Sequence, residues 1–275
     1  MARTFNGSNQ FLRRAEALSF TYPLTLALWV YPQRSNLYED VLSLARSADN
    51  STGWFLQLRG PDGMKAAAVT AYQNTFAIAR SSTTFTLNRW CHLAGVFTGA
   101  SSRMVYLDGV PGSVEGTTLA VPTVDRILIG AWERQGSWMA YFAGYAAEAA
   151  VWKVALNSTE IAQLAAGNSP LLVRPGDLVA YWPLGGPFGN DDRDHLAGLY
   201  DLTAFNNPGW TDHPSIIYPQ PEPPPPPPAI RPAPRFPAVA GNVWTATAGK
   251  GAVFCPGAVT GCSAGHVAAG MARNL

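Results

Sequence analysis

The chain has 275 residues, 19 Lys+Arg against 18 Asp+Glu, a formal net charge of +1 and only 13% charged side chains. Globular domains usually carry about 25%, so clustered cations for phosphate neutralisation are missing and a general nucleic-acid binder is excluded. A hydrophobic content of 47% excludes a charge-rich disordered protein, and three cysteines in this length exclude a disulfide scaffold.

The opening residues contain no basic segment followed by an apolar one, so no secretory signal is expected. No apolar run is long enough for a membrane span. Short strands then follow one another. Thr25 to Tyr31 reads as a strand closed by Pro32, Val41 to Arg46 as another, and Trp54 to Arg59 as a third stopped by Gly60-Pro61-Asp62-Gly63. Met64 to Ala71 and Cys91 to Thr98 continue the series. Arg103 to Leu107 leads into Asp108-Gly109, a dipeptide that tolerates positive φ at both central hairpin positions. Arg126 to Ile129 is a further strand, and the apolar stretch Ala140 to Trp152 reads as a buried strand pair. One helix is expected after Asn157, with Glu160 three residues on, Ile161 and Leu164 on one face and Gly167 at its end. Leu178 to Trp182 is the last expected strand. This spacing predicts an all-β fold. Residues 186–218 read as a loop-rich extension. Residues 219–237 hold 11 of the 23 prolines and read as a polyproline spacer. Residues 238–275 form an Ala/Gly-rich tail with only two ionised side chains, Lys250 and Arg273; a tail of this kind gains little from water, so contacts with other subunits through residues 219–275 are expected.

Several phrases resemble laminin-G-like domains of the concanavalin A-like lectin/glucanase superfamily, the laminin-G/pentraxin branch. They are Phe5-Asn6-Gly7 through Phe11-Leu12, Thr25 to Val30, Trp90-Cys91-His92-Leu93-Ala94-Gly95-Val96-Phe97, Val105-Tyr106-Leu107-Asp108-Gly109-Val110, and Phe142-Ala143-Gly144-Tyr145 with Ala149-Ala150-Val151-Trp152. The resemblance implies a two-sheet antiparallel jelly-roll sandwich with one short helix over residues 1–185. The acidic pair common before the last long strand is here Ala146-Ala147-Glu148-Ala149, and Ser8 and Asn9 follow the opening glycine. The family's calcium sites therefore do not transfer.

The carboxylate cluster of a glucanase is also missing. Glu39 and Asp40 are adjacent, so they point to opposite faces, and Glu148 is alone in its strand; solvated surface is the expectation for all three. Gly261-Cys262-Ser263-Ala264-Gly265 fits a nucleophile-elbow spacing without the strand and helix it needs. Cys255 and Cys262 are left open as a pair. His92, among apolar neighbours, is expected to be a hydrogen-bonded structural histidine, and Trp29 and Trp54 are expected in the core. Two sites remain. The loop Asp191, Asp192, Asp194 is either a calcium-holding turn or a solvated one. The connection from Ala131 to Trp138 carries Trp132, Arg134 and Trp138, which either stack on and hydrogen-bond a sugar or bury against the sandwich or a subunit.

The family works outside cells and this chain shows no export signal. The expectation is therefore a non-enzymatic virion structural protein, of phage decoration, fibre or adhesion type, with no nucleic-acid or membrane partner. It would display a lectin-like domain that binds surface glycans. A soluble carbohydrate-binding lectin module is the alternative, and a glucanase a distant third.

Overall fold

In the computed structural model, residues 1–48, 51–196 and 198–220 are described. The strands are β1 (Ala2–Asn6), β2 (Phe11–Leu18), β3 (Leu24–Pro32), β4 (Tyr38–Ala45), β5 (Gly53–Arg59), β6 (Lys65–Tyr72), β7 (Thr75–Arg80), β8 (Cys91–Gly99), β9 (Ser102–Leu107), β10 (Val110–Pro111), β11 (Val124–Ile129), β12 (Trp132–Arg134), β13 (Ser137–Met139), β14 (Ala143–Trp152), β15 (Leu178–Trp182), β16 (Thr203–Phe205) and β17 (Trp210–Thr211), with one α-helix, α1 (Ser158–Ala165). The expected polyproline spacer beyond residue 220, the Ala/Gly-rich tail, Cys255, Cys262 and the Gly261–Gly265 motif lie outside the described residues.

Two antiparallel sheets face each other. One runs β10-β9-β8-β3-β14-β1-β17, with β15 also paired to β14; the other runs β16-β2-β11-β4-β5-β6-β7. Alternation along each strand sends one set of apolar side chains into the space between them. Leu26, Leu28, Leu93, Val105 and Leu107 from the first sheet meet Leu42, Leu44, Trp54, Leu56 and Leu58 from the second, all essentially without exposure. Gly95 marks the close approach of the sheets, since a Cβ there would come within 2.6 Å of the Leu56 side chain.

Both outer faces are also covered, so the central strands are apolar on both sides. On the first sheet α1 lays Ile161 and Leu164 over Ala94, Val96, Ala150 and Trp152. The helix starts with a capping box: the Asn157 side chain accepts from the Thr159 and Glu160 amides, and Glu160 accepts from the Asn157 amide. On the second sheet, Phe55, Val69 and Leu128 form an outer apolar patch, against which Trp132 and Trp138 pack.

The covering element is a two-stranded ribbon, β12–β13. It replaces the loop expected at 131–138. Gln135 and Gly136 both take positive φ, 48° and 74°, which closes a two-residue hairpin just as Asp108 and Gly109 do at 51° and 78°. The 140–152 stretch likewise holds one long strand rather than a pair: β14 runs unbroken from Ala143 to Trp152, with a register shift between Ala147 and Ala150 where Glu148 has φ 55°. The 186–218 stretch contributes edge strands to both sheets, β16 on β2 and β17 on β1.

Candidate functional site

The ribbon stands off part of the second sheet and leaves a groove of about 250 Å³, lined by Tyr38, Asp40, Gln57, Arg59, Phe76, Ile78, Trp132 and Ala140. Strand alternation explains its composition. Tyr38 and Asp40 are two apart on β4, Gln57 and Arg59 two apart on β5, and Phe76 and Ile78 two apart on β7. The register sets Tyr38 opposite Arg59 and Asp40 opposite Gln57, so the floor is two polar cross-strand pairs. A second cavity of about 380 Å³ adjoins it through the shared residues Tyr38, Trp132 and Ala140, and adds Arg34, Met139 and Tyr141. These volumes lie at the small end of ligand pockets.

The floor is a connected polar chain. Gln57 Nε2 donates to Asp40 Oδ1 at 3.1 Å, and Arg59 Nη1 donates to Gln57 Oε1 at 2.8 Å. Arg59 Nε donates to Asp62 at 2.7 Å and its guanidinium lies 4.3 Å from the Tyr38 ring centre. Asp62 also accepts from Arg80 at 2.9 Å and from the Tyr38 hydroxyl at 2.9 Å. Desolvation raises the Asp62 carboxyl, but the bonds from Arg59, Arg80 and Tyr38 and the Arg59 charge outweigh it and hold it down to about 2. Asp40 differs. It is fully buried, its Oδ2 accepts no hydrogen bond from the protein, and burial pushes its carboxyl up to about 7 against the smaller opposing pulls of Gln57 and Arg59.

The walls are aromatic. Trp132 meets Phe55 edge-on at 5.4 Å and Phe76 edge-on at 6.4 Å. This leaves the indole half-buried, packed on the sheet and lining both cavities. Trp138 does not join it. It pairs across the ribbon with Glu133, whereas Trp132 pairs with Met139, so the two indoles leave opposite faces of the ribbon. Trp138 stacks on Phe11 at 4.0 Å, and Phe11 stacks in turn on Phe205 at 4.7 Å. Arg134 points elsewhere again, with Nη2 donating to Asn74 Oδ1 at 3.0 Å. Of the three expected sugar contacts, only Trp132 lines the groove.

The expected calcium loop does not converge on a point. Arg3 clamps both oxygens of Asp192, donating from Nε at 2.6 Å and from Nη2 as well. Asp194 is buried and accepts the Tyr181 and Leu196 amides, while Asp191 lies 2.9 Å from His195 Nε2. Among the described residues, no group of three His, Cys, Asp or Glu side chains is arranged to hold a metal ion. The donor set thus fits backbone and cation partners rather than a hard cation, which needs about six to eight oxygens.

Three carboxylates expected at the surface are buried instead. Glu39 is 1% exposed and Glu148 2%. Glu39 accepts from Arg34 Nε at 3.0 Å and from the Ala143 amide at 2.9 Å, and burial outweighs both in raising its carboxyl. Glu148 accepts from the Tyr181 hydroxyl at 2.8 Å and the Tyr218 hydroxyl at 2.7 Å, with His213 Nε2 at 3.4 Å. Each is buried because it has found partners distant in sequence. Asp40 is the third; Glu39 and Asp40 do take opposite faces, as adjacency requires. His92 is a buried structural residue as expected, but not a hydrogen-bonded one at Nδ1. Its ring meets Trp29 edge-on at 5.5 Å and its Nδ1 has no hydrogen-bond partner; burial lowers its pKa to about 3, so it is neutral. Trp54 is in the core as expected, whereas Trp29 is half-buried.

A laminin G family model, described as concanavalin A-like lectin/glucanases superfamily, matches residues 6–162. That is more than half of the chain, and the chain belongs to this superfamily. Among solved structures it is similar to a putative carbohydrate binding protein from Bacteroides ovatus, with 16% identity and a TM-score of 0.56, covering 76% of this chain and 58% of that one. It is also similar to a heptameric SAP-like pentraxin from Limulus polyphemus, with 17% identity and a TM-score of 0.52, covering 60% of this chain and 81% of that one. At these identities the likeness establishes the fold alone. A search of curated proteins finds no match. Among the described residues no helix is long and apolar enough to cross a membrane.

Proposed function

We propose that this chain is a non-catalytic carbohydrate-binding domain and that a glycan lies in the groove between the ribbon and the second sheet. One observation carries the reading: Trp132, Phe76 and Tyr38 stand around a floor built from Asp40, Gln57 and Arg59. Sugar rings have apolar C–H faces and polar edges, so they need an aromatic surface and hydrogen-bonding groups side by side. The superfamily and the B. ovatus neighbour, whose name describes a carbohydrate binder, support this reading. Against hydrolysis, Asp40 is, among the described residues, the only carboxylate lining either cavity, whereas glycosidases of the usual kind flank the bond with two.

A glycan array probed with the full chain and with Trp132→Ala tests the reading. Binding by the parent and its loss in the variant are expected. Binding that survives the change places the ligand elsewhere.

Display on a virion through residues 219–275 rests on their composition. Size-exclusion with light scattering on the full chain, beside a chain ending at residue 218, tests it. A monomer in both cases counts against it.

A further inference from the structure

We propose that the groove selects oligosaccharides that carry a carboxylate, and that Arg59 and Arg80, with Lys65 beside them, seat that carboxylate at one end of it. The proposal deepens the reading above and rests on it.

The charge balance at this end is the first support. Arg59, Lys65 and Arg80 share the outer face of the second sheet. Lys65 stands directly opposite Arg59, and Arg80 stands opposite Ala67, two residues further along β6. Like charges directly opposite each other repel. Among the described residues, Asp62 is the one carboxylate paired with these cations. A single oxygen of it accepts from Arg59 Nε at 2.7 Å and from Arg80 Nε at 2.9 Å. Lys65 Nζ donates to the Ser82 carbonyl at 2.8 Å, which leaves its charge unmatched. Three cations thus share one anion, in a chain whose formal net charge is +1. Arg34, in the adjoining cavity, is matched by Glu39. Asp40 has 0% exposure and burial pushes its carboxyl up to about 7, so below neutral pH it offsets little of the excess.

The second support is the set of unused donors. Arg59 spends Nε on Asp62 and Nη1 on Gln57, and Nη2 is left over. Arg80 spends Nε alone, and its side chain is 47% exposed. A planar guanidinium with open N–H groups matches a carboxylate in shape, and such bonds are charge-assisted.

The spacing sets the size of the ligand. Phe76, Ile78 and Arg80 alternate onto one face of β7, so Phe76 and Arg80 are about 13 Å apart along the strand. A single sugar ring does not span this distance. An oligosaccharide with one ring against Trp132 and Phe76 brings a later ring to the arginines. The aromatic walls accept neutral and acidic rings alike, so discrimination falls to the cationic end.

The test titrates the full chain, at about pH 6, with oligosaccharides matched as neutral, carboxylated and sulfated forms. Trp132→Ala and the double variant Arg80→Gln, Lys65→Gln are measured beside the parent, and thermal denaturation confirms that each is folded. The parent should bind the carboxylated form about tenfold or more tightly than the neutral one. Added salt should shrink that ratio, because the borders of the groove are exposed and screened. The double variant should narrow it severalfold while leaving neutral binding in place. Three outcomes overturn the selectivity alone, with Trp132→Ala still abolishing binding: neutral forms bound as well as carboxylated ones, sulfated forms preferred to carboxylated ones, or a ratio unmoved by the double variant. Failure to bind any glycan, or binding that survives Trp132→Ala, overturns the groove reading and the selectivity with it. The parent's own preference and its salt dependence need no variant, so a poorly folding variant leaves the proposal open to refutation.

Discussion

Asp40 and Gln57 face each other across β4 and β5, and the 3.1 Å bond from Gln57 uses one carboxylate oxygen while the other goes unbonded within the protein. The groups around Asp40 are Arg59 on β5, Asp62 after it, Arg80 on β7, and Tyr38 and Glu39 on its own strand with Arg34 against Glu39. Burial dominates and places the Asp40 carboxyl at about 7 against a usual 3.8. The folded state therefore holds a proton that the unfolded chain releases. The resulting stability is full below about pH 4 and is lost as pH rises through about 7. The shift corresponds to something on the order of 4 kcal/mol. Denaturant unfolding of the parent and Asp40→Asn at pH 5 and pH 8 should show the variant gaining on the parent at pH 8 by a few kcal/mol. A difference that stays constant between the two pH values would rule out titration in this window.

Trp132 and Trp138 should separate. Trp132→Ala removes a groove wall and part of the cover over Phe55, so binding is lost. Trp138→Ala removes the stack on Phe11 and costs on the order of 1–3 kcal/mol, with glycan affinity kept within about twofold. Equal binding losses in both variants would mean that the ribbon acts only as a structural cover.

Glu148 holds two tyrosyl hydroxyls, one from β15 and one from Tyr218. Glu148→Ala leaves both donors without their acceptor in a buried site. Urea unfolding should show a loss of about 3 kcal/mol or more. A loss below about 1 kcal/mol would show that the cluster is dispensable.

Asp192 is clamped by Arg3, whose guanidinium also lies 3.8 Å from the Trp210 ring centre and donates to the Pro208 carbonyl. Asp192→Asn should lower the melting temperature by several degrees, and added calcium should neither rescue the variant nor shift the parent. A calcium-dependent rise in the parent would reinstate the loop as a metal site.

The interior strands were legible because their apolar runs are bounded by turn residues, and the helix because Asn157 and Glu160 are spaced for mutual capping. The ribbon was not. Gln135-Gly136 is a weak hairpin signal beside Asp108-Gly109, and a tryptophan-rich connection reads equally well as a sugar-binding loop or as one buried against the sandwich. The groove floor was hidden for another reason. Glu39 and Asp40 look like surface residues in isolation, and what buries them, Arg34 and Gln57, comes from other segments. Glu148 is further still from its partners, with Tyr218 seventy residues away. One signal was available. Val41 to Ala45 has no polar alternation beyond Ser43, which marks β4 as covered on both faces and so marks the carboxylates at its start as covered too.

The ribbon pairs with neither sheet, and the groove exists only because it bridges the span from β11 to β14. The sandwich core closes without it. Another hairpin in place of residues 132–139 would therefore cut a different recess into the same scaffold, provided it still covers Phe55, Val69 and Leu128.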